Sequence, residues 1–561
     1  MRIRGVGTAG LAALLAIILA GCGAGTPPSG NTDPPAEPAP GPGGHLADGH
    51  PRLGNGAWTL PPLQTSLETY ALEVPEATLK LFEDDVYAPE QPATFIFDGV
   101  RYPVTIRLRG QSARTFPKKS WNVDFNDLRF QGREELNLVA EYQDQTMLVE
   151  KLAYDLAAAM GIPAPRTKYV RLVINGRYMG VFLDIEEVDK KFLKAHGMPD
   201  RDADIWRCGL WDCEMKLGPR HPAQGEWTKV TNKESLDTTR LQQLLVAINR
   251  TAEPDFADRL GEVMDVDEFL RVMALEAIIS NNFVEDSRSY WVDDRVTGRW
   301  YYVPWDLNNA DPRWWPTYGY DMEPIVDHDL YPFTLQNPWL QDMYDRRKEE
   351  AEGYEPTFDN LRTRIVANPA LRARLVALTE RARTELLDPA LLHPWLDAMH
   401  ALVAPHLKDD PFMDPKAFEL GLPYLKQYVT GRNAFVAQEL TRLSHEQPGL
   451  VIEAFDPVAG WIELGNRGNQ SVSTAGMVLT TNLRHAAPPF MTPNVPAMTL
   501  QPGERRRLDA SALGLDFAAS SEVGLSDGLS VAHPYDFLFY PLPSFGHYAR
   551  DAHTGAWTLT P

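Results

Sequence analysis

One stretch limits the architecture more than any other: Trp300 to Asn309, WYYVPWDLNN. Trp300, Tyr301, Tyr302 and Val303 are aromatic or β-branched, residue types that suit a pleated, buried surface, so they predict a strand. Pro304 has no N–H to give a ladder and ends it. Asp306 and Asn308 follow at i and i+2, where two oxygen-bearing side chains beyond a buried strand can converge on one cation. Magnesium suits such a site, because it takes one or two carboxylates and completes its shell with water or phosphate oxygens. A plain turn would use the same residues, since Asp and Asn bond nearby backbone at strand ends.

A chain of 561 residues is too long for one ordinary core, so two or more domains are expected. Its 54 basic against 76 acidic residues give a formal charge of -22. That balance excludes general nucleic-acid binding, which needs a basic footprint to displace counterions. An anionic phosphate compound would also be repelled unless cations are concentrated locally.

The amino terminus reads as a processing segment. Arg2 and Arg4 precede an apolar run, Leu11 to Ala20, too short for a comfortable membrane span. It closes on Leu19, Ala20, Gly21 and Cys22, which resembles the bacterial lipobox; the alternative is an ordinary secretory signal with an incidental cysteine. The resemblance implies export, lipidation of Cys22 and a membrane-tethered protein of the cell envelope. Residues 1–22 would be the signal and 23–56, rich in Pro and Gly, a flexible tether. Export implies an oxidising compartment, so Cys208 and Cys213 are expected to form a small disulfide rather than remain free thiols.

Strand and helix signals alternate from residue 57 to about 445. Val104, Ile106 and Leu108 alternate with polar residues, and Trp121, Val123 and Phe125 alternate again, predicting an antiparallel pair joined by a long loop. Leu148, Leu152, Leu156 and Met160 fall at helical spacing, closed by Gly161. Asn175 and Gly176 predict a tight hairpin between Tyr169–Ile174 and Tyr178–Ile185. Strand pair, helix, strand pair makes an α+β lobe. More helical patterns follow, and the anchor strand is expected to pair with Ser289 to Val292. Short strands and turns from residue 446 to 561 predict a small all-β sandwich.

Basic charge gathers in and before the loop after the first strand: Arg107, Arg109, Arg114, Lys118 and Lys119. Glycine there lets backbone approach a phosphate, and a lysine can reach it as a point charge; a solvated basic loop would look the same. Glu285 and Asp286, between a buried helix and the strand before the anchor, could accept a proton from an attacking hydroxyl, or be plain loop acids. There is no Gly-x-Ser-x-Gly elbow, His-Glu-x-x-His helix or Walker loop, which lowers hydrolase and conventional nucleotidase readings.

Taken in order, Arg107 to Ser112 (RLRGQS), Phe116 to Ser120 (FPKKS), Asn175 to Val181 (NGRYMGV), Asp204 to Arg207, Pro304 to Leu307 and Tyr428 to Arg432 resemble the successive blocks of the CotH kinase family. The resemblance implies an atypical two-lobed protein-kinase-like fold over residues 57–445 and ATP-dependent phosphorylation of protein hydroxyls with magnesium or manganese. Carried over, Lys119 or Lys118 would bind ATP phosphate with Arg109 nearby. Glu186 would lie on the strand leaving the first lobe, Asp306 and Asn308 would hold the metal, and Glu285 or Asp286 would be the base. Two departures stand out. No asparagine precedes Tyr290 in the loop Phe283 to Ser289, and Asn308 replaces the family's usual aspartate. They open the alternative of a catalytically impaired surface scaffold.

The C-terminal segment resembles the lamin-tail domain, an immunoglobulin-like sandwich, through Trp461 to Asn466, Leu500 to Glu504, Leu525 to Gly528 and Arg550 to Trp557. The resemblance implies a positioning or adhesion module, with Trp461 in its core.

Overall fold

The computed structural model describes residues 57–208, 215, 227–235, 237–251, 255–281, 289–309, 323–327, 330–331, 360–445, 449–481, 492–518, 522–526, 536–539, 546–552 and 557–560. The fold mixes helix and sheet. The first part is built from β1 (Glu68–Glu73), α1 (Glu76–Asp84), β2 (Gln91–Phe97), β3 (Val100–Leu108), β4 (Trp121–Asp124), β5 (Glu135–Val139), α2 (Val149–Ala159), β6 (Thr167–Ile174) and β7 (Arg177–Ile185). The strand pairs expected of this lobe are joined with β1, β2 and β5 into a closed barrel in the order β1-β2-β3-β4-β5-β7-β6. Closure comes from parallel pairing of β1 with β6, Glu68 opposite Val170 through Leu72 opposite Ile174. It removes both sheet edges and lets one face of every strand point into a shared core. Tyr70, Phe95, Ile106, Val123, Leu136, Leu172 and Phe182 fill that core. Its aromatic rings meet edge-on, as Tyr70 and Phe95 do at 5.2 Å, the geometry ring quadrupoles favour.

Local sequence explains the turns. Asn175 (φ 50°) and Gly176 (φ 76°) both take the left-handed backbone a two-residue hairpin needs, and β6 and β7 pair across them. At the end of α2, Gly161 turns left-handed and Ile162 N–H donates to the Ala157 carbonyl at 3.0 Å, closing the helix.

Next come α3 (Lys190–Ala195), β8 (Asp204–Arg207), β9 (Thr228–Lys229), α4 (Thr239–Arg250), α5 (Phe256–Val263), α6 (Val266–Ile279), β10 (Tyr290–Asp294) and β11 (Arg299–Val303). Their strands form a sheet ordered β11-β10-β8-β9. β11 pairs with β10, Tyr302 opposite Trp291. Trp291, Trp300 and Tyr302 pack with the helices, while Tyr290, Val292, Tyr301 and Val303 pack with Val188, Phe192 and Ile205 on the other face. Burial on both faces is why this strand has no polar alternation. Four helices follow: α7 (Asn360–Ala367), α8 (Pro369–Glu385), α9 (Pro389–Leu407) and α10 (Pro415–His445). α6 is buried along nearly its whole length and packs against α8 and α10.

The last segment holds β12 (Leu450–Asp456), β13 (Trp461–Asn466), β14 (Val472–Ser473), β15 (Val478–Thr480), β16 (Thr499–Leu500), β17 (Arg505–Asp509), β18 (Glu522–Ser526), β19 (Asp536–Phe539), β20 (His547–Arg550) and β21 (Trp557–Thr560). A five-stranded sheet (β17-β13-β12-β20-β21) and a three-stranded one (β15-β18-β19) share a core of their own around Ile452, Phe455, Ile462, Leu464, Leu479, Val523 and Leu525. Trp461, expected in that core, is half-buried instead. The Arg507 guanidinium lies 3.7 Å from its ring centroid, because β17 ladders beside β13 and brings the cation over the ring.

Candidate active site

The site begins where β11 ends. Past Pro304 the backbone turns left-handed at Asp306 (φ 62°) and enters a short 3-10 turn, Leu307–Asn309. Asp tolerates that backbone better than most residues, but at a cost of about 1–3 kcal/mol that the surroundings must offset. Buried Leu307 anchors the turn, and α2 packs directly against it.

α2 is fixed at its start by Asp144, whose carboxylate accepts from Val149 N at 2.9 Å and Thr146 N at 2.9 Å. This sets Glu150, in the first turn, beside Glu141, which itself sits in a left-handed backbone after β5 (φ 47°). Both are buried, 6% and 3% exposed. They share a hydrogen bond, which requires one proton between the two carboxyls. Burial above all holds Glu141 up to about 7, with Asp144 and Asp306 adding to it and Lys118 opposing. Glu150 is pushed well above the usual carboxylate range by burial, then by Glu141 and Asp306, with Arg109 opposing. Glu141, Glu150 and Asp306 therefore occupy one electrostatic neighbourhood with Arg109 and Lys118 at its margin.

Three oxygens in this neighbourhood are buried without a hydrogen-bond partner among the described residues: Glu141 Oε1, Glu150 Oε2 and Asn308 Oδ1. Orphaned buried acceptors are costly and mark a place where something else belongs. Hard oxygens, two of them on carboxylates, suit magnesium or manganese. No three His, Cys, Asp or Glu side chains among the described residues can hold a metal unaided.

Each residue singled out in the sequence has a definite place. Arg109 reaches the site, its guanidinium 5.2 Å from the ring centroid of Trp305. Lys118 and Lys119 diverge, as neighbours in an extended segment must. Lys118 is buried and donates to Asp410 Oδ2 at 2.8 Å and to the Val181 carbonyl at 2.6 Å. Lys119 instead donates to the Arg114 carbonyl at 2.7 Å, so it folds back on its own loop. Arg107 is paired with Glu90 at 3.1 Å, and Arg114 sits over Tyr87 at 5.1 Å. Cys208 is disulfide-bonded; Cys213, with Cys22, Glu285 and Asp286, lies outside the described residues.

Glu186 is not turned to this cluster. Its carboxylate accepts from Arg166 at 2.6 Å and lies 3.0 Å from His196 Nε2, and these partners overcome burial to hold it down at about 2. Glu186→Gln should cost about 1–3 kcal/mol in denaturant unfolding at pH 7, stability that wild type keeps above pH 4.5 and loses only as pH falls toward 2.

Glu141, Glu150 and Asp410 were not singled out in the sequence. Glu150 carried a faint signal, as a charge in a helix that also holds Leu148, Leu152, Leu156 and Met160.

A model of the family described as CotH kinase protein matches residues 106–436, more than half of the chain, including the end of β3, the basic loop, α2, the anchor strand and Asp410. The chain belongs to this CotH kinase family. It is 24% identical over 392 residues to Inner spore coat protein H of Bacillus subtilis, covering 68% of this chain and 99% of that protein. The Inner spore coat protein H-like protein of the same organism is 20% identical, covering 62% of this chain and 93% of its own length. Among solved structures, the Helicobacter pylori proinflammatory kinase CtkA aligns with 64% of this chain and 94% of its own at 6% identity. The TM-score is 0.28, too low to carry an argument. Membership of CotH makes the chain kinase-like, and family members of this kind use ATP and a divalent metal.

Proposed function

We propose that this CotH protein transfers the terminal phosphoryl group of ATP to hydroxyl groups of proteins, working outside the cytoplasm on a lipid attached at Cys22. The observation that carries the proposal is the buried Glu141–Glu150 pair, with unpartnered oxygens beside Asp306 and Asn308 and with Arg109 and Lys118 at its margin. Such a pair has no structural reward by itself, since two buried carboxyls without a cation destabilise a fold.

Asp306, Asn308 and one carboxylate of the Glu141–Glu150 pair would hold magnesium or manganese, which when bound neutralises phosphate charge. Arg109, stacked on Trp305, presents a fixed fork for phosphate oxygens. Burial lowers the Lys118 ammonium's pKa, and Asp410 is the partner that opposes this and favours the charge Lys118 would bring to phosphate. Glu285 or Asp286 would take the proton from the acceptor hydroxyl. Catalysis would then rest on positioning and charge stabilisation. Neutral Asn308 favours a competing reading, a surface scaffold that binds without turnover; the two glutamates supply the charge it lacks. In this proposal residues 446–561 form a lamin-tail-like sandwich that positions the enzyme.

The test is incubation of the purified chain with manganese and ATP labelled at the terminal phosphate. Incorporation of label into the protein or an added acceptor is the expected result. Nucleotide binding without incorporation would establish the scaffold reading.

A further inference from the structure

Resting on the nucleotide-site reading above, we infer that Asp410 is the positioning residue for the nucleotide-binding cation: it holds Lys118 in place from the helical part of the chain, and so leaves Glu141 and Glu150 for the metal. In protein kinases the corresponding lysine is paired by a glutamate of the first lobe's helix. Here that helix, α2, offers Glu150, and Glu150 bonds to Glu141 instead.

The geometry around Asp410 is specific. It lies between α9 and α10, 292 residues from its partner, yet its Oδ2 is 2.8 Å from Lys118 Nζ, with both side chains buried (0% and 3% exposed). The same Oδ2 accepts from Val181 N at 3.3 Å, and Oδ1 accepts from Phe412 N at 3.0 Å. Both oxygens are therefore directed, and the carboxylate cannot swing away cheaply.

Gly180 makes the approach possible. Its φ is +107°, and a Cβ built there would stand 1.9 Å from Asp410 Oδ2. Any side chain at position 180 would expel the carboxylate. Two further bonds hold the two parts together nearby: Tyr178 Oη donates to the His406 carbonyl at 3.0 Å, and Asp414 N donates to Gln145 Oε1 at 2.7 Å. Lys118 is thus fixed by three elements, its own loop, β7 and the α9–α10 connection. Its ammonium, a point charge on a flexible stem, would otherwise be free to fold onto the nearby Glu141.

The test is a double-mutant cycle on ATP–manganese affinity by calorimetry, with manganese alone as the second titrant. Asp410→Asn keeps the shape and removes the charge. It should weaken ATP by roughly 10- to 100-fold, the worth of a charge-assisted hydrogen bond, and leave the affinity for manganese alone unchanged. In a Lys118→Met background the same substitution should cost nothing more, because the cation it positions is gone. The doubly substituted chain buries neither charge and keeps the comparison valid if Asp410→Asn alone folds poorly. Gly180→Ala should reproduce the Asp410→Asn loss with Asp410 intact. An equal loss in both backgrounds, or no loss from Asp410→Asn, would overturn the role. Wild-type protein with no affinity for ATP would instead remove the nucleotide-site reading, and this role with it.

Discussion

Asp306→Ala should reduce phosphate incorporation from labelled ATP by about 10²–10³-fold, the usual cost of removing one preorganised electrostatic contact. The residue sits where a buried strand ends, in a left-handed backbone, beside two glutamates whose ionisation it already opposes. Its carboxylate belongs to the charge that would meet the metal, and neutral Asn308 cannot replace it. Stability should change in the opposite sense or hardly at all. Deleting a negative charge beside buried carboxyls relieves repulsion, although alanine gives up the local bonding that lets aspartate occupy this backbone. Loss of activity with an intact melting transition is therefore the expected signature. Equal labelling by wild type and Asp306→Ala would take Asp306 out of the mechanism.

The second large effect is on stability as a function of pH. Glu141 ionises at about 7 in the folded chain against 4.5 as its ordinary value, and burial raises Glu150 well above its ordinary value too. The folded chain therefore keeps protons that the unfolded chain releases. The pair therefore costs little below pH 4.5, where both chains are protonated, and costs progressively more stability as pH rises from there through about 7. Glu141 alone accounts for about 3 kcal/mol across that window. Without metal, wild type should lose melting temperature steeply between pH 5 and 8, while Glu141→Gln/Glu150→Gln should lose much less. Glu268 is also raised by burial, but it is present in both proteins and cancels in the difference. Glu186 acts at lower pH and does not overlap. Parallel curves for the two proteins would mean that the pair is not protonated as described.

The parts of this fold legible in the sequence were those with local signatures. Alternation marked β3 and β4, the Asn175–Gly176 pair marked the hairpin of β6 and β7, and the aromatic run marked β11. Barrel closure left no such trace. It depends on β1 meeting β6 a hundred residues away, and β2 is obscured by Pro92. In the site, Asp306 was visible because it follows directly on a strand and its terminating proline. Which of two adjacent lysines points inward was not visible, because a single loop residue added or removed reverses the answer. Glu141 and Glu150 were not singled out, since their shared burial depends on α2 docking on the Leu307–Asn309 turn. Asp410 was beyond reach, because its partner is set by the packing of α9 and the segment after it against β7.

The most direct test of the site is a count of bound manganese by electron paramagnetic resonance, with a non-hydrolysable ATP analogue present. Wild type should bind manganese in a nucleotide-dependent manner, and Glu141→Gln/Glu150→Gln should bind at least tenfold more weakly, about 1.4 kcal/mol or more. Undiminished manganese binding by the doubly substituted protein would contradict the assignment of these buried oxygens to a metal.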